Sequence, residues 1–309
     1  MTKCYLFIPM LLLSAALSAQ TPTDLQFLSS GDVCAGVGIG YDAWSKYWEG
    51  DVRRENGNVG TVSRRQFSAG FMLGIVNRLN VHIRVPYITT HASQGTLNGQ
   101  SGLQDLNLNL KGKFAEIRLG KGNLVLGGNL GFSTPLSKYL VDFAPLNLGF
   151  GTTNLSYRQM AAYQTDMGLY FGARANYTYR SNVPNIHRDF YYDQGNAYYL
   201  NEINVDDVFD WTLAVGYTDA HILAEIDFNA VNTLGGSDIR TWDPGFPSND
   251  MDAATLTGRF DYYFSKSKGL NFSVTGGYTL SGRNAGQSVF GNVGINYLFS
   301  LWGKGGAVQ

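Results

Sequence analysis

The stretch Q-S-V-F-G-N-V-G-I-N-Y-L-F, residues 287–299, decides the fold. From Val289 onward, every second residue is apolar or Gly, whereas the residues between them are mainly polar or Gly. A period of two is typical of a β-strand with one apolar face. This face ends in two aromatic residues, Tyr297 and Phe299, as is common where a strand leaves a bilayer. The alternative is a strand of a soluble β-sandwich.

The same strand carries a pattern that resembles the C-terminal signal of outer-membrane β-barrels. In that signal a polar residue and a Gly precede two spaced aromatic residues, and the machinery that inserts barrels recognises it. The resemblance implies that these residues contact the barrel-insertion machinery. Residues 300–309, which follow the strand, are interpreted as a C-terminal tail. The matching residues are Asn292, Gly294, Tyr297 and Phe299.

Composition favours a membrane β-barrel over a helical membrane protein. The chain has 309 residues, of which 44% are hydrophobic and only 15% are charged, with 38 Gly, 19 Tyr and 18 Phe. Its mean hydropathy is -0.13, and beyond the N-terminus no apolar run reaches the length of about 18 residues that a membrane helix needs. The net charge is -1, and the charged residues are scattered along the chain. The expected partner is therefore outer-membrane lipid and not nucleic acid.

The N-terminal residues have the pattern of a secretory signal peptide. Lys3 precedes a short apolar run, and small residues follow it up to Ala19. This pattern predicts that residues 1–19 are cleaved and that residues 20–32 form a periplasmic lead. Cys34 is then the one cysteine of the mature chain, which predicts no disulfide and a small inward-facing filler in the first strand.

Alternation of apolar with small or polar residues recurs in about twelve segments. The connections between them alternate between long and short, and one short connection is predicted at residues 115–123. Outer-membrane barrels of Gram-negative bacteria have short periplasmic turns, long extracellular loops and both termini in the periplasm. The pattern therefore predicts an all-β, antiparallel up-and-down transmembrane barrel of about 12 strands over residues 33–299, with a soluble Greek-key or jelly-roll fold as the alternative. The predicted strands cover residues 33–41, 67–75, 81–87, 106–114, 124–132, 155–162, 169–179, 209–217, 222–230, 254–264, 270–280 and 289–299.

Several short segments resemble a known family. R-V-P-Y-I at residues 84–88, followed by G-L-Q-D-L at residues 102–106, resembles a "V-P-Y … G-L-G-D-L" pattern. That pattern occurs in an outer-membrane family described as transporters of the phenol-degradation meta pathway. G-F-G at residues 149–151 and Y-T-Y-R at residues 177–180 are similar to the same family, and Gln104 stands where the family usually has Gly. The resemblance implies an outer-membrane barrel that passes small hydrophobic or aromatic solutes.

Charged side chains on the opposite faces of the strands would line the barrel lumen. Those on the third to seventh strands are basic, whereas those on the eighth and ninth are acidic. Such a transverse field could orient polar or zwitterionic solutes, or the charges could pair and plug a narrow interior. The candidate lining residues are His82, Arg84, Lys111, Lys113, Arg158, Arg174, Asp210, Glu225, Asp227, Arg259 and Asp261.

Catalysis and metal binding have little support in the sequence. His82, His91, His187 and His221 are far apart and show no metal-ligand spacing. No flanking sequence identifies a nucleophile for the inward His82, so neither an enzyme nor a cofactor is expected. A barrel-embedded hydrolase would require a Ser or Asp beside that imidazole.

One predicted outer loop is rich in carboxylates. Asp238, Asp243, Asp250 and Asp252 fall within it, and carboxylates can hold calcium. Their spacing misses that of an EF-hand loop, so a solvated loop is the interpretation.

Two classes of function follow from the pattern. The first is an outer-membrane channel or transporter-like barrel for small solutes. The second is a barrel with a sealed lumen that binds a partner or adheres through its outer loops. An open path between the basic and acidic walls would distinguish the channel from the sealed barrel.

Overall fold

The computed structural model describes residues 21–184, 190–199, 202–239, 247–265 and 269–301. The signal peptide predicted at residues 1–19 lies outside the described residues. Of the predicted C-terminal tail, only Ser300 and Leu301 are described.

Twelve long antiparallel strands form one closed barrel, as predicted. Each strand pairs with its neighbours in sequence, and β1 also pairs with β12, from Asp32 opposite Ser300 to Ala43 opposite Val289. This last pairing closes the barrel and leaves it without an open edge. The strands are β1 (Asp32–Trp44), β2 (Val62–Val76), β3 (Leu79–Ala92), β4 (Asp105–Leu119), β5 (Gly122–Pro135), β6 (Asn154–Thr165), β7 (Leu169–Arg180), β8 (Val208–Thr218), β9 (Ile222–Thr233), β10 (Asp252–Tyr263), β11 (Leu270–Arg283) and β12 (Val289–Ser300).

The outer surface of the barrel is apolar because alternate residues of each strand point away from the lumen. On β1, for example, Val37 and Ile39 are 50% and 63% exposed, while Gly36, Gly38 and Gly40 occupy the positions between. A continuous exposed apolar surface of this kind is stable in lipid and not in water. Among the described residues there is no helix with the length and hydrophobicity of a transmembrane span.

Short and long connections lie at opposite ends of the barrel. Two-residue turns at 77–78 and 120–121 lie at the same end as the two termini. Long connections such as 45–61 and 136–153 lie at the other end, which is the extracellular end of an outer-membrane barrel. The exception is the last extracellular connection, residues 284–288, which is short.

The prediction of a nine-residue turn at residues 115–123 is wrong. β4 continues to Leu119 and joins β5 through a turn of only two residues. A β-bulge between Lys113 and Ala115 shifts the pairing with β5. Because a bulge changes which residues face outward, the period-two pattern breaks at this point although the strand does not end.

The barrel surface gives a first prediction, at Leu213 in the middle of β8. Its side chain is 56% exposed on the outer surface. We expect Leu213→Arg to lower the free energy of unfolding by about 2–4 kcal/mol, because a charge near the bilayer midplane loses its hydration. Urea unfolding of the protein refolded into lipid vesicles measures this loss. Leu97→Arg, in an extracellular loop, is the control, and an equal loss in both variants would contradict the lipid assignment.

Candidate functional site

The segment before β1 folds back into the barrel. Residues 21–31, called the N-terminal segment below, contact inward-facing side chains of several strands. The sequence pattern predicted only a periplasmic lead here. Because the segment fills part of the lumen, the lumen is the candidate functional site.

Lys111 of β4 fixes this segment at three points. Its Nζ donates hydrogen bonds to the carbonyl oxygens of Thr21 and Gln26 at 2.8 and 2.7 Å, and to Asp24 Oδ1 at 2.8 Å. The same ammonium lies 5.1 Å from the centre of the Phe27 ring. Lys111 is only 1% exposed, so all three of its donors are used where water is excluded.

Apolar contacts fix the segment near the start of β1. Leu28 packs with Cys34 and Met72, and Leu298 of β12 packs against the same cluster. Cys34 is buried here, in agreement with its interpretation as a filler. The close approach requires Gly74, because a Cβ at this position would lie 2.1 Å from the carbonyl oxygen of Ser29.

Most of the charged side chains on the barrel wall form ion pairs. Arg174 lies 2.8 Å from Glu225, which also accepts a hydrogen bond from the Tyr170 hydroxyl at 2.5 Å. Arg158 pairs with Asp210 at 3.4 Å. The predicted basic and acidic walls meet because β7 lies beside β8, so these cations are paired with neighbouring acids and do not face them across an empty lumen.

Arg259 of β10 joins the wall to the N-terminal segment. It lies 2.6 Å from Asp261 and 3.5 Å from Asp24. Asp24 therefore bridges two buried cations, Lys111 and Arg259, from opposite sides of the lumen. The acid that pairs with Lys111 is thus supplied by the N-terminal segment and not by a barrel strand. Lys113, by contrast, pairs with Glu116 at 2.9 Å near the periplasmic end.

Two cavities flank Thr21 inside the barrel. The first, called the Arg84 cavity, has a volume of about 290 Å³ and is bordered by His82 and Arg84 of β3. The second, called the Asp227 cavity, has a volume of about 310 Å³ and is bordered by Glu225 and Asp227 of β9. Both are lined by Thr21, Ser273, Thr275 and Asn296. The N-terminal segment narrows the lumen but leaves space on both sides.

At the extracellular end, the loop of residues 136–153 folds over the mouth of the barrel. The Thr90 hydroxyl donates a hydrogen bond to the carbonyl oxygen of Leu146 at 2.7 Å, and Leu146 is completely buried. The Tyr139 hydroxyl donates to Asp105 at 2.6 Å. Burial raises the pKa of the Tyr139 phenol, and its hydrogen bond to the Asp105 carboxylate raises it further, so this hydroxyl keeps its proton.

A third cavity, called the mouth cavity, lies beneath this loop. It has a volume of about 410 Å³ and is lined by Arg64, Arg180 and Phe150, among others. The Arg180 guanidinium lies 5.1 Å from the centre of the Phe150 ring, a cation–π contact. The loop thus covers the mouth without filling it.

The eleven predicted lining residues all lie in barrel strands, at positions that alternate with outward apolar side chains. The structure brings Arg158, Arg174, Asp210 and Glu225 together in pairs. Sequence reasoning missed Asp24, the acid on which Lys111 and Arg259 converge. The signal that could have found it is an acid early in a lead that precedes a barrel rich in inward cations.

The described carboxylates of the acidic loop form ion pairs and hydrogen bonds. Asp238 and Asp250 both pair with Arg283, at 2.9 and 3.2 Å, and Asp252 accepts a hydrogen bond from the backbone of Thr233. Asp243 lies outside the described residues. In the described ranges no three His, Cys, Asp or Glu side chains are placed to hold a metal ion.

The three histidines in the described ranges are not brought together. In the described part of the chain, His82 Nδ1 is buried without a hydrogen-bond partner. This nitrogen therefore has no carboxylate bonded to it, as the orienting acid of a hydrolase triad would be. His91 lies at the extracellular end of β3, and His221 lies in the turn before β9. His187 falls outside the described residues.

Comparisons with known proteins agree with this architecture. No family model and no curated protein matches the chain. A crystal structure of an outer-membrane channel from Pseudomonas putida F1 matches with a TM-score of 0.73 and 14% identity, covering 91% of this chain and all (100%) of the channel. The NanC porin matches with a TM-score of 0.48 and 11% identity, covering 85% of this chain and 98% of the porin. At 14% identity, the similarity to the channel concerns the fold.

The fold is therefore that of an outer-membrane β-barrel. Its closed sheet satisfies the backbone hydrogen bonds of every spanning strand, and its outward side chains are apolar. A closed barrel with an apolar outer surface is the form in which strands span the outer membrane of Gram-negative bacteria, and the chain is placed there on these properties.

Proposed function

We propose that this chain is an outer-membrane channel for small solutes, narrowed by its own N-terminal segment. The observation that carries the proposal is the pair of cavities on either side of Thr21, about 290 and 310 Å³ in volume. A barrel whose lumen served only as a packed core would fill this space with side chains. Polar linings suit the passage of hydrated or partly hydrated molecules.

The segments that resemble the phenol-pathway transporter family support the same proposal. The R-V-P-Y-I segment contains Arg84, which borders one of the cavities. The backbone N–H of Gln104 donates to the carbonyl of Pro86 at 2.9 Å, so the two halves of the pattern lie side by side. We accordingly include small hydrophobic or aromatic molecules among the proposed solutes.

The residues that resemble an insertion signal lie together at one place on the barrel. Tyr297 and Phe299 stack on the outer surface near the periplasmic end of β12, with ring centroids 6.3 Å apart. Asn292 and Gly294 occupy inward positions of the same strand. We propose that this strand is the contact for the barrel-insertion machinery.

A second candidate function is a sealed barrel that acts through its extracellular loops. The observation that favours it is the set of buried ion pairs around Asp24, because such pairs resist rearrangement. In this case the cavities would be isolated from each other and from the outside.

Removal of residues 21–31 distinguishes the two functions. We expect the shortened barrel to show a single-channel conductance several times that of the full mature chain, because the cavities would merge into one pore. The measurement is made in planar bilayers after circular dichroism has shown that both barrels are folded. Both proposals allow the shortened barrel to conduct, so the full mature chain decides between them: if it shows no conductance while the folded shortened barrel conducts, the channel proposal is overturned in favour of the sealed barrel.

A further inference from the structure

The inward cations of the barrel fall into two groups. Lys111, Arg158, Arg174 and Arg259 each lie within 3.5 Å of a carboxylate. Arg84 belongs to the other group, since no ion pair with it is formed by any residue in the described ranges. Its guanidinium is exposed to the lumen, on the side away from the lipid-facing Val85. One strong hydrogen-bond donor in the lumen is therefore available to a solute.

The Arg84 cavity contains no carboxylate in its lining. Arg84 is its cationic side chain, and His82, Ser68, Thr275, Asn292 and Asn296 add polar groups. Space is present because β1 contributes Gly residues to this side of the lumen. A cavity with an unpaired guanidinium and no acid has a positive potential, which favours an anion.

The strand register gives the cavity two chemically different ends. Arg84 lies opposite Gly70 across β2 and β3, and His82 lies opposite Met72. Met72 in turn lies opposite Cys34 on β1. The guanidinium is therefore nearer the extracellular end, and the apolar Met72 and Cys34 side chains are nearer the periplasmic end.

We propose that the Arg84 cavity is a binding site for small organic carboxylates with a compact apolar body. The carboxylate accepts hydrogen bonds from the Arg84 guanidinium, whose planar fork matches two carboxylate oxygens. The apolar body extends towards Met72 and Cys34. Arg64 and Arg180, which line the mouth cavity, lie on the way in from the extracellular side. The inference rests on the proposed channel function and names the solute class that this channel selects.

Binding of benzoate to the full mature protein in detergent micelles tests the proposal by calorimetry. We expect saturable binding of benzoate and none of benzyl alcohol, which has a similar shape and no charge. Arg84→Gln should weaken benzoate binding at least tenfold. Arg118→Gln removes an arginine that pairs with Asp166 at the periplasmic end, away from the cavity, and should leave binding unchanged.

Three results would overturn the proposal: no saturable benzoate binding, equal affinity after Arg84→Gln, or equal affinity for benzyl alcohol. If Arg84→Gln does not fold, Ser68→Asp keeps the arginine and places a carboxylate in the same lining; it should abolish binding. Conductance is measured separately on the same preparations. Benzoate binding without conductance would contradict the channel function but still support the carboxylate-binding site. Conductance without benzoate binding would contradict the binding site but still support the channel function.

Discussion

Replacing Lys111 by Met is expected to release the N-terminal segment and to raise the single-channel conductance several times. The substitution removes three charge-assisted hydrogen bonds at 2.7–2.8 Å, each to a different residue of that segment. Removing one partner of a buried ion pair costs about 3–5 kcal/mol, largely because the other charge is left buried. Here that charge is Asp24, whose remaining cation, Arg259, is at 3.5 Å.

The cost falls on the segment and not on the barrel. The barrel strands keep their backbone pairing whether or not the segment is bound, because none of the twelve long strands uses residues 21–31. When the segment is released, water hydrates the Asp24 carboxylate, so no unpaired charge stays buried. The release also opens the lumen. Planar-bilayer recordings and limited proteolysis of the segment measure the two consequences.

Lys113→Met is the matched control for this prediction. Lys113 lies two residues along the same strand, 5.6 Å from the Phe27 ring centre, but its ion partner Glu116 belongs to the barrel. Lys113 is also partly exposed, so its pair contributes little. We expect Lys113→Met to keep the wild-type conductance. Equal conductance in the wild type and both variants would show that Lys111 does not hold the segment in place.

The barrel itself could be predicted from sequence because its signal is local. Outward residues such as Val37 and Ile39 must be apolar to meet lipid, so each strand shows its alternation independently of the others. The alternation gives the wrong strand end at the bulge after Lys113, because one extra residue there shifts which residues face outward. The predicted number of strands is nevertheless correct, because the pattern predicts both β4 and β5 and misplaces only the turn between them.

The arrangement within the lumen could not be predicted in the same way, because it depends on contacts distant in sequence. Asp24 and Lys111 are 87 residues apart, and nothing near either residue records the other. Inward positions are also free to carry polar, small or charged side chains, so their pattern does not reveal pairing. Sequence predicted a set of inward charges, but it could not predict which of them form ion pairs and which, such as Arg84, form none with a residue in the described ranges.

A second large effect is expected where three extracellular connections meet, at Asn284 between β11 and β12. Its side-chain oxygen accepts hydrogen bonds from the backbone N–H groups of Gly50 and Ile239, at 2.8 and 2.9 Å. Its side-chain nitrogen donates to Asp238 Oδ1 at 2.8 Å and to the carbonyl oxygen of Asp250 at 2.7 Å. One buried side chain thus joins the connection 45–61 to the connection 234–251.

Asn284→Ala is expected to detach these connections from each other. Four hydrogen bonds at about 1 kcal/mol each give a loss of about 4 kcal/mol. The backbone adds to this loss, because Asn284 has a φ of 49°, a left-handed conformation that costs Ala about 1–2 kcal/mol. Limited proteolysis of the connection 45–61 in the folded barrel is the measurement, and we expect cleavage many times faster than in the wild type.

Asn284→Gly separates the two causes, because Gly adopts a positive φ without strain and also lacks the four hydrogen bonds. If the hydrogen bonds dominate, Asn284→Gly is cleaved nearly as fast as Asn284→Ala; if strain dominates, it resembles the wild type. Asn58→Ala, at an exposed side chain of the same connection, controls for a general effect of losing an Asn. Wild-type cleavage rates in both Asn284 variants would show that the ion pairs of Arg283 with Asp238 and Asp250 hold the connections without it.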